Sequence, residues 1–163
     1  MIHILTTGGT IGGVDLNQKC ATTTNPSVNI TDFFQLPNLS FEYRIDPVFD
    51  KDSRLITQQN RELLVEKIRS SIFDKILITH GTYSMEDTAY YLGGLQLNKT
   101  IVLVGSFIPG SEQHTDAPFN LGYGLASLQF LDKGVYIAMN GQVFHWNNVY
   151  KNLKENRFKT LRP

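Results

Sequence analysis

An α/β fold is the class this sequence predicts: a doubly wound, mostly parallel sheet with helices on both faces. Two observations carry that reading. Short apolar runs recur along the chain, "IHILTT" (2–7), "KILIT" (75–79), "TIVLVG" (100–105) and "GVYIAMNG" (134–141), and segments of helical period lie between successive runs. The runs are apolar almost throughout rather than alternating, as strands covered on both faces must be.

The elements follow in order. "IHILTT" is β-branched and stops in glycines, so it reads as a strand. "FEYRIDPVF" (41–49) is a poorer strand, and Pro47 places it at an edge or ends it early. "RELLVEKIRSSI" (61–72) sets Leu64, Val65, Ile68 and Ile72 at helical spacing. Ser84, with Asp87 three residues on, predicts a capping-box-like start for a helix through "TAYYLGGLQL". "PFNLGYGLASLQFL" (118–131) is a helix opening on proline. The polar stretch 12–31 lacks periodicity and is expected to be a mobile loop. The basic tail "NLKENRFKTLRP" is expected to be weakly structured.

Bulk properties narrow the function classes. A length of 163 residues fits one domain, residues 1–163, and 41% hydrophobic with 18% charged residues is an ordinary globular composition. Fifteen basic and fifteen acidic residues cancel, so no net field invites nucleic acid or an anionic membrane. The single Cys20 fits a reducing compartment, and "MIHILTTGG" is too short an apolar start for a signal-peptide core. No later run reaches membrane-spanning length, so a soluble cytoplasmic protein is expected.

In an open parallel sheet, ligands bind at the carboxyl ends of the strands. Those ends are "TTGGTIGG" (6–13), "DKDS" (50–53), "THGTYS" (79–84), "GSFIPG" (105–110) and "MNGQ" (139–142). Glycines there admit a substrate close to the backbone, and the N–H groups can hold an anion or oxyanion. Gly-Thr and Gly-Ser turns also serve as plain turn chemistry. The dinucleotide fingerprint fails at Thr10, no Walker pattern follows any turn, and four scattered histidines with one cysteine give no metal-ligand spacing. His80 reads as a packed, hydrogen-bonded histidine rather than a base, and His114 with Asp116 as a structural loop pair. Cys20 has no histidine near it in sequence to activate it. The remaining nucleophile candidates are threonines, which need a base, and a lysine of lowered pKa can be one. Pattern alone ends at a hydroxyl-rich site on an α/β sheet.

The motifs themselves resemble the bacterial L-asparaginase family of threonine amidohydrolases. "TTGGTIGG" is similar to its first signature, with the nucleophile at Thr10. "ITHGTYSMEDTAYYL" is similar to the second, and "VGSFIPGSEQHTDAPFNL" to a further stretch, with Ala117 where glycine is usual. Continuing in register through "MNGQVFHWNNVYK" sets the family's lysine at Lys151, and "KDSRLIT" sets its α-carboxylate-binding serine at Ser53. The resemblance runs the length of the chain and implies an asparaginase N-terminal-domain-like fold. It implies that Thr10 attacks a side-chain carboxamide while Thr82, activated by Lys151, shuttles the proton or positions water. Gly81 and Ser106 would offer backbone contacts to the substrate. No metal or organic cofactor is implied. The implied partner is a small amide, L-asparagine or an analogue, and the implied assembly a homo-oligomer, dimer or tetramer.

Three departures stand out. The family's second domain is not in this sequence, which resembles short single-domain members. The family's aspartate after His-Gly-Thr, which grips the substrate ammonium and pairs with the lysine, is Tyr83; losing a paired buried carboxylate costs about 2–5 kcal/mol. Arg54 follows Ser53 where glutamine or serine is usual, and pointing inward it would repel an ammonium and favour a carboxylate. The loop after Thr10 also lacks the family's tyrosine, so Tyr83 either supplies a phenol to Thr10 or fills space. Three readings stay open: an asparaginase-type amidohydrolase, an amidase shifted to a substrate without the α-amino group, and a binding domain without turnover.

Overall fold

The computed structural model describes residues 1–12, 30–35 and 39–162. Its main sheet has six strands in the order β2-β1-β3-β4-β5-β6. They are β1 (Ile2–Thr6), β2 (Tyr43–Pro47), β3 (Lys75–Thr79), β4 (Thr100–Val104), β5 (Gly134–Met139) and β6 (Gln142–His145). The first five are mutually parallel, and β6 returns antiparallel to β5. β2 is an outer strand and Pro47 is its last residue, as the missing proline N–H requires.

Side-chain alternation along the strands feeds two cores. Ile76, Ile78, Ile101 and Leu103 face the helices α2 (Gln58–Ser70) and α3 (Met85–Gly94), with Leu64, Ile68, Met85 and Leu92. Leu77, Val102 and Val104 face the other way, towards α1 (Ile30–Gln35) and α4 (Ala117–Phe130), with Ile30, Phe34, Leu121 and Leu128. Both faces of the sheet are thus buried, which explains why the strands read as unbroken apolar runs.

Local chemistry sets the boundaries. α2 starts at Gln58, three residues before the periodic stretch, because Thr57 and Asn60 form a reciprocal capping box. It ends at Ser70, where Ser71 N–H closes back on Ile68 O, so Ile72 falls outside the helix and is exposed rather than core. Ser84 does occupy the N-cap of α3 but makes no cap hydrogen bond. Its hydroxyl donates instead to Ser53 O at 2.6 Å and ties two loops together. Pro118 sits in the first turn of α4.

Two expectations need correction. "MNGQ" is not a ligand-facing strand end: Asn140 and Gly141, at φ 54° and 77°, make the tight turn of the β5–β6 hairpin. The tail is not weakly structured either, since β7 (Tyr150–Asn152) pairs antiparallel with β8 (Arg157–Lys159). Phe158 anchors that hairpin, buried near Phe107 and Phe144 with ring centroids 6.1 and 6.4 Å away. The loop expected over 12–31 lies mostly outside the described residues, as does Cys20, while Ile30 and Thr31 already belong to α1.

Candidate active site

Four of the five strand ends named by the sequence converge on one cleft of about 180 Å³. Gly9 and Thr10 reach it from the end of β1, Asp52, Ser53 and Arg54 from beyond β2, Thr82 and Tyr83 from β3, and Phe107 from β4. The β7–β8 hairpin adds Lys151 and Asn156. A larger cavity of about 470 Å³ opens at the opposite end of the sheet, before β4 and β5. We favour the smaller cleft because the hydroxyls, the lysine and the carboxyl ends of the strands all meet there.

Glycine makes the convergence possible. Gly9 has φ +83°, and a Cβ there would lie 2.5 Å from the Gly81 backbone. A Cβ on Gly81 would in turn lie 2.6 Å from Ser53 Oγ. Two loops therefore touch backbone to backbone while the third sets its Ser53 side chain against Gly81, and no larger residue fits at either glycine. Thr10 opens a short 3-10 turn whose Ile11 is wholly buried, and Thr10 O accepts from Gly110 N–H at 2.9 Å. Beneath the β4 loop, Asp116 accepts from the N–H groups of Phe107 and Ile108 and from the Asn120 side chain, and among the described residues no hydrogen bond joins it to His114. Buried Asn120 donates to Gly105 O and to Asp116, and accepts from Asn140 N–H, stitching the ends of β4 and β5.

Thr82 and Lys151 meet within the cleft. Lys151 Nζ donates to Thr82 Oγ1 at 2.9 Å, and the lysine backbone N–H donates to Glu86 Oε2 at 2.7 Å. Burial pulls the Lys151 pKa down; Glu86 opposes the shift and Arg54 adds to it. A lysine of lowered pKa touching a threonine hydroxyl is a base beside an alcohol.

Arg54 lies along Asp52, with Nε to Oδ1 at 2.9 Å and Nη2 to Oδ2 at 2.7 Å. Tyr83 donates its N–H to Ser53 Oγ at 3.1 Å, which fixes the serine. Its ring stands 4.7 Å from Lys151 Nζ and 5.0 Å from Arg54 Cζ, within cation–π range. Among the described residues no hydrogen bond joins the Tyr83 hydroxyl to Thr10. The side chain packs on the two cations instead.

Gly81 and Ser106 are buried behind the residues that line the cleft. The Ser106 hydroxyl has no hydrogen-bond partner among the described residues. His80 is also buried, with Nδ1 against Gly81 O at 2.8 Å, and desolvation lowers its pKa to about 4. It is a packed neutral histidine, as its sequence position predicts. Asp52 and Phe107 lie within the strand ends "DKDS" and "GSFIPG" without having been singled out there, while Asn156 of the cleft and Glu86 beside Lys151 carry no spacing that marks them.

A family model described as "Asparaginase, N-terminal" matches residues 1–162. The chain belongs to the asparaginase family. It is 33% identical over 173 residues to a glutaminase-asparaginase of Pseudomonas fluorescens biotype A, covering 98% of this chain and 48% of that protein. Against L-asparaginase 2 of Escherichia coli strain K12 the identity is 31% over 163 residues, covering 92% and 46%. The fold superposes on the crystal structure of a probable cytoplasmic L-asparaginase from Campylobacter jejuni with a TM-score of 0.83 and 30% identity, covering 99% of this chain and 53% of that one. The chain spans about half the length of the curated relatives it matches. The doubly wound sheet is thus the asparaginase N-terminal architecture. No helix among the described residues is long and apolar enough to cross a membrane.

Proposed function

We propose that this chain is an asparaginase-type amidohydrolase, releasing ammonia from the side-chain amide of L-asparagine or a close analogue. The observation that carries the reading is the 2.9 Å hydrogen bond from Lys151 Nζ to Thr82 Oγ1 in the cleft that Thr10 also lines. The names of the relatives point the same way.

In this reading Thr10 Oγ1 attacks the amide carbon and its proton passes towards the Thr82–Lys151 pair. The amide nitrogen takes up a proton and leaves as ammonia. Water then attacks the threonine ester, giving the acid and restoring the hydroxyl. Lys151 in its neutral form accepts the proton, and its depressed pKa enlarges that fraction. Backbone N–H groups of the glycine turns would hold the oxyanion, an effect worth about 3–4 kcal/mol per donor in comparable sites. Ser53, Arg54 and Tyr83 would contact the rest of the substrate. Gly81 and Ser106 would act through the backbone behind them.

The reading extends to context. We take residues 1–163 as one domain, supported by two cores that share a single sheet. A homo-oligomer would shield a cleft whose Tyr83 is 55% exposed. A cytoplasmic setting is supported by the name of the Campylobacter jejuni protein.

Ammonia release by the purified full chain, over L-asparagine and related amides, tests the proposal. Release from one of them is the expected result. No release from any would leave a binding domain as the better account.

A further inference from the structure

Lys151 is held at both ends by one short segment of chain. Its Nζ donates to Thr82 Oγ1 at 2.9 Å, and its backbone N–H donates to Glu86 Oε2 at 2.7 Å. Thr82 and Glu86 flank the start of α3, where Ser84 is the N-cap and Met85 is wholly buried. The same segment is tied to the loop beyond β2. Tyr83 N–H donates to Ser53 Oγ at 3.1 Å, and Ser84 Oγ to Ser53 O at 2.6 Å. Glu86 therefore belongs to a fixed platform.

An antiparallel pair turns every second N–H away from its partner strand. β7 pairs with β8 through Lys151 and Phe158, and the Lys151 N–H turns outward onto the Glu86 carboxylate. A charge-assisted bond of this kind is about twice as strong as a neutral one. It fixes the backbone from which the flexible lysine stem reaches Thr82.

Charge points to the same residue. Around Nζ stand Arg54 and the rings of Tyr83 and Phe107. Asp52 is hydrogen-bonded to Arg54, Asp87 is exposed, and Glu155 pairs with Arg157 and Lys159 on the hairpin itself. Glu86 is the carboxylate that favours the charged lysine, against desolvation and Arg54.

We propose that Glu86 is the positioning residue of the base, holding the Lys151 backbone where Nζ meets Thr82 and supplying the lysine's counter-charge. The proposal rests on the amidohydrolase reading, in which Lys151 is that base. Glu86 does not line the cleft and acts through Lys151.

Two variants separate position from charge. Glu86→Gln keeps an oxygen for the Lys151 N–H and removes the charge; Glu86→Ala removes both. Losing the charge lowers the Lys151 pKa further, so the rising limb of activity should move to lower pH in both variants. Above that limb, kcat per folded molecule should fall about tenfold to a hundredfold in Glu86→Ala, and Glu86→Gln should restore it. NMR titration of the Lys151 Cε carbon, assigned by its loss in Lys151→Arg, should show the same movement without any substrate. The Overhauser contact between Lys151 Hε and the Thr82 side chain should persist in Glu86→Gln and fade in Glu86→Ala. An unmoved carbon titration, a plateau in Glu86→Ala equal to wild type, or an equal fall in both variants would each overturn the proposal. No ammonia from any amide would overturn the amidohydrolase reading instead. The Overhauser contact then decides the positioning, its loss in Glu86→Ala supporting Glu86 and its survival there overturning it.

Discussion

Lys151 Nζ donates a hydrogen bond to Thr82 Oγ1 across 2.9 Å. The two residues lie on different elements, one on β7 and the other after β3, so the contact exists only in the folded chain. Burial disfavours the charged lysine, with Glu86 resisting and Arg54 assisting. The folded pKa therefore lies below the ordinary 10.5. Activity should rise with pH along a limb below 10.5, as Lys151 loses its proton. Between the folded pKa and 10.5 the unfolded chain binds more protons, so stability should rise with pH in that window. Lys151→Arg keeps the charge but cannot act as a base, and should lower kcat by about 10²–10⁴-fold and abolish the limb. A pH–rate profile of both proteins checks this.

His80 predicts the acid side of the stability curve. It is neutral in the fold, with a pKa near 4 against an ordinary 6.5. Below 6.5 the unfolded chain takes up a proton that the folded chain refuses, so stability should fall as pH drops from 6.5 towards 4. The full shift corresponds to about 3 kcal/mol. His80→Asn, which retains a donor for Gly81 O, should flatten that slope in urea melts taken at each pH.

Gly9 and Gly81 should tolerate no side chain. Gly9→Ala adds backbone strain of about 1–3 kcal/mol at its positive φ and drives a methyl into Gly81. Activity should fall along with stability, since the displaced loop carries Thr10. Gly12→Ala, where a Cβ meets nothing within 4 Å, is the matched control. Thermal melts with ammonia assays separate the pair.

Phe158 links the tail to the site. Phe158→Ala should destabilise by about 3–5 kcal/mol, as a large buried ring is lost between Phe107 and Phe144. It should also lower activity in the protein that remains folded, because Lys151 pairs directly with Phe158 across the hairpin. Full activity per folded molecule would show that the hairpin does not position the lysine.

These predictions draw unequally on the sequence. The central strands were legible because burial on both faces leaves short, β-branched apolar runs that stop at turn residues. Thr10 and Thr82 were expected at strand ends because such ends gather ligands, and the family resemblance separated them from the other hydroxyls; both line the cleft. The β7–β8 hairpin was not, because three-residue strands with one buried side chain leave no measurable alternation. Arg54 was visible as a departure, but its engagement with Asp52 depends on a 3-10 turn that has no periodic signal. Ser84 misled for a related reason: a good capping residue was drawn to Ser53 by tertiary contact. Ile72 kept the helical spacing beyond the point where the helix stops.

The central claim is that Thr10 performs the attack. Its most direct test is ammonia release by the Thr10→Ala variant, on whichever amide the wild type turns over fastest. The account predicts a loss of about 10⁴-fold or more in kcat, with substrate still bound in calorimetry. Turnover within tenfold of wild type would contradict it and move the nucleophile elsewhere in the cleft.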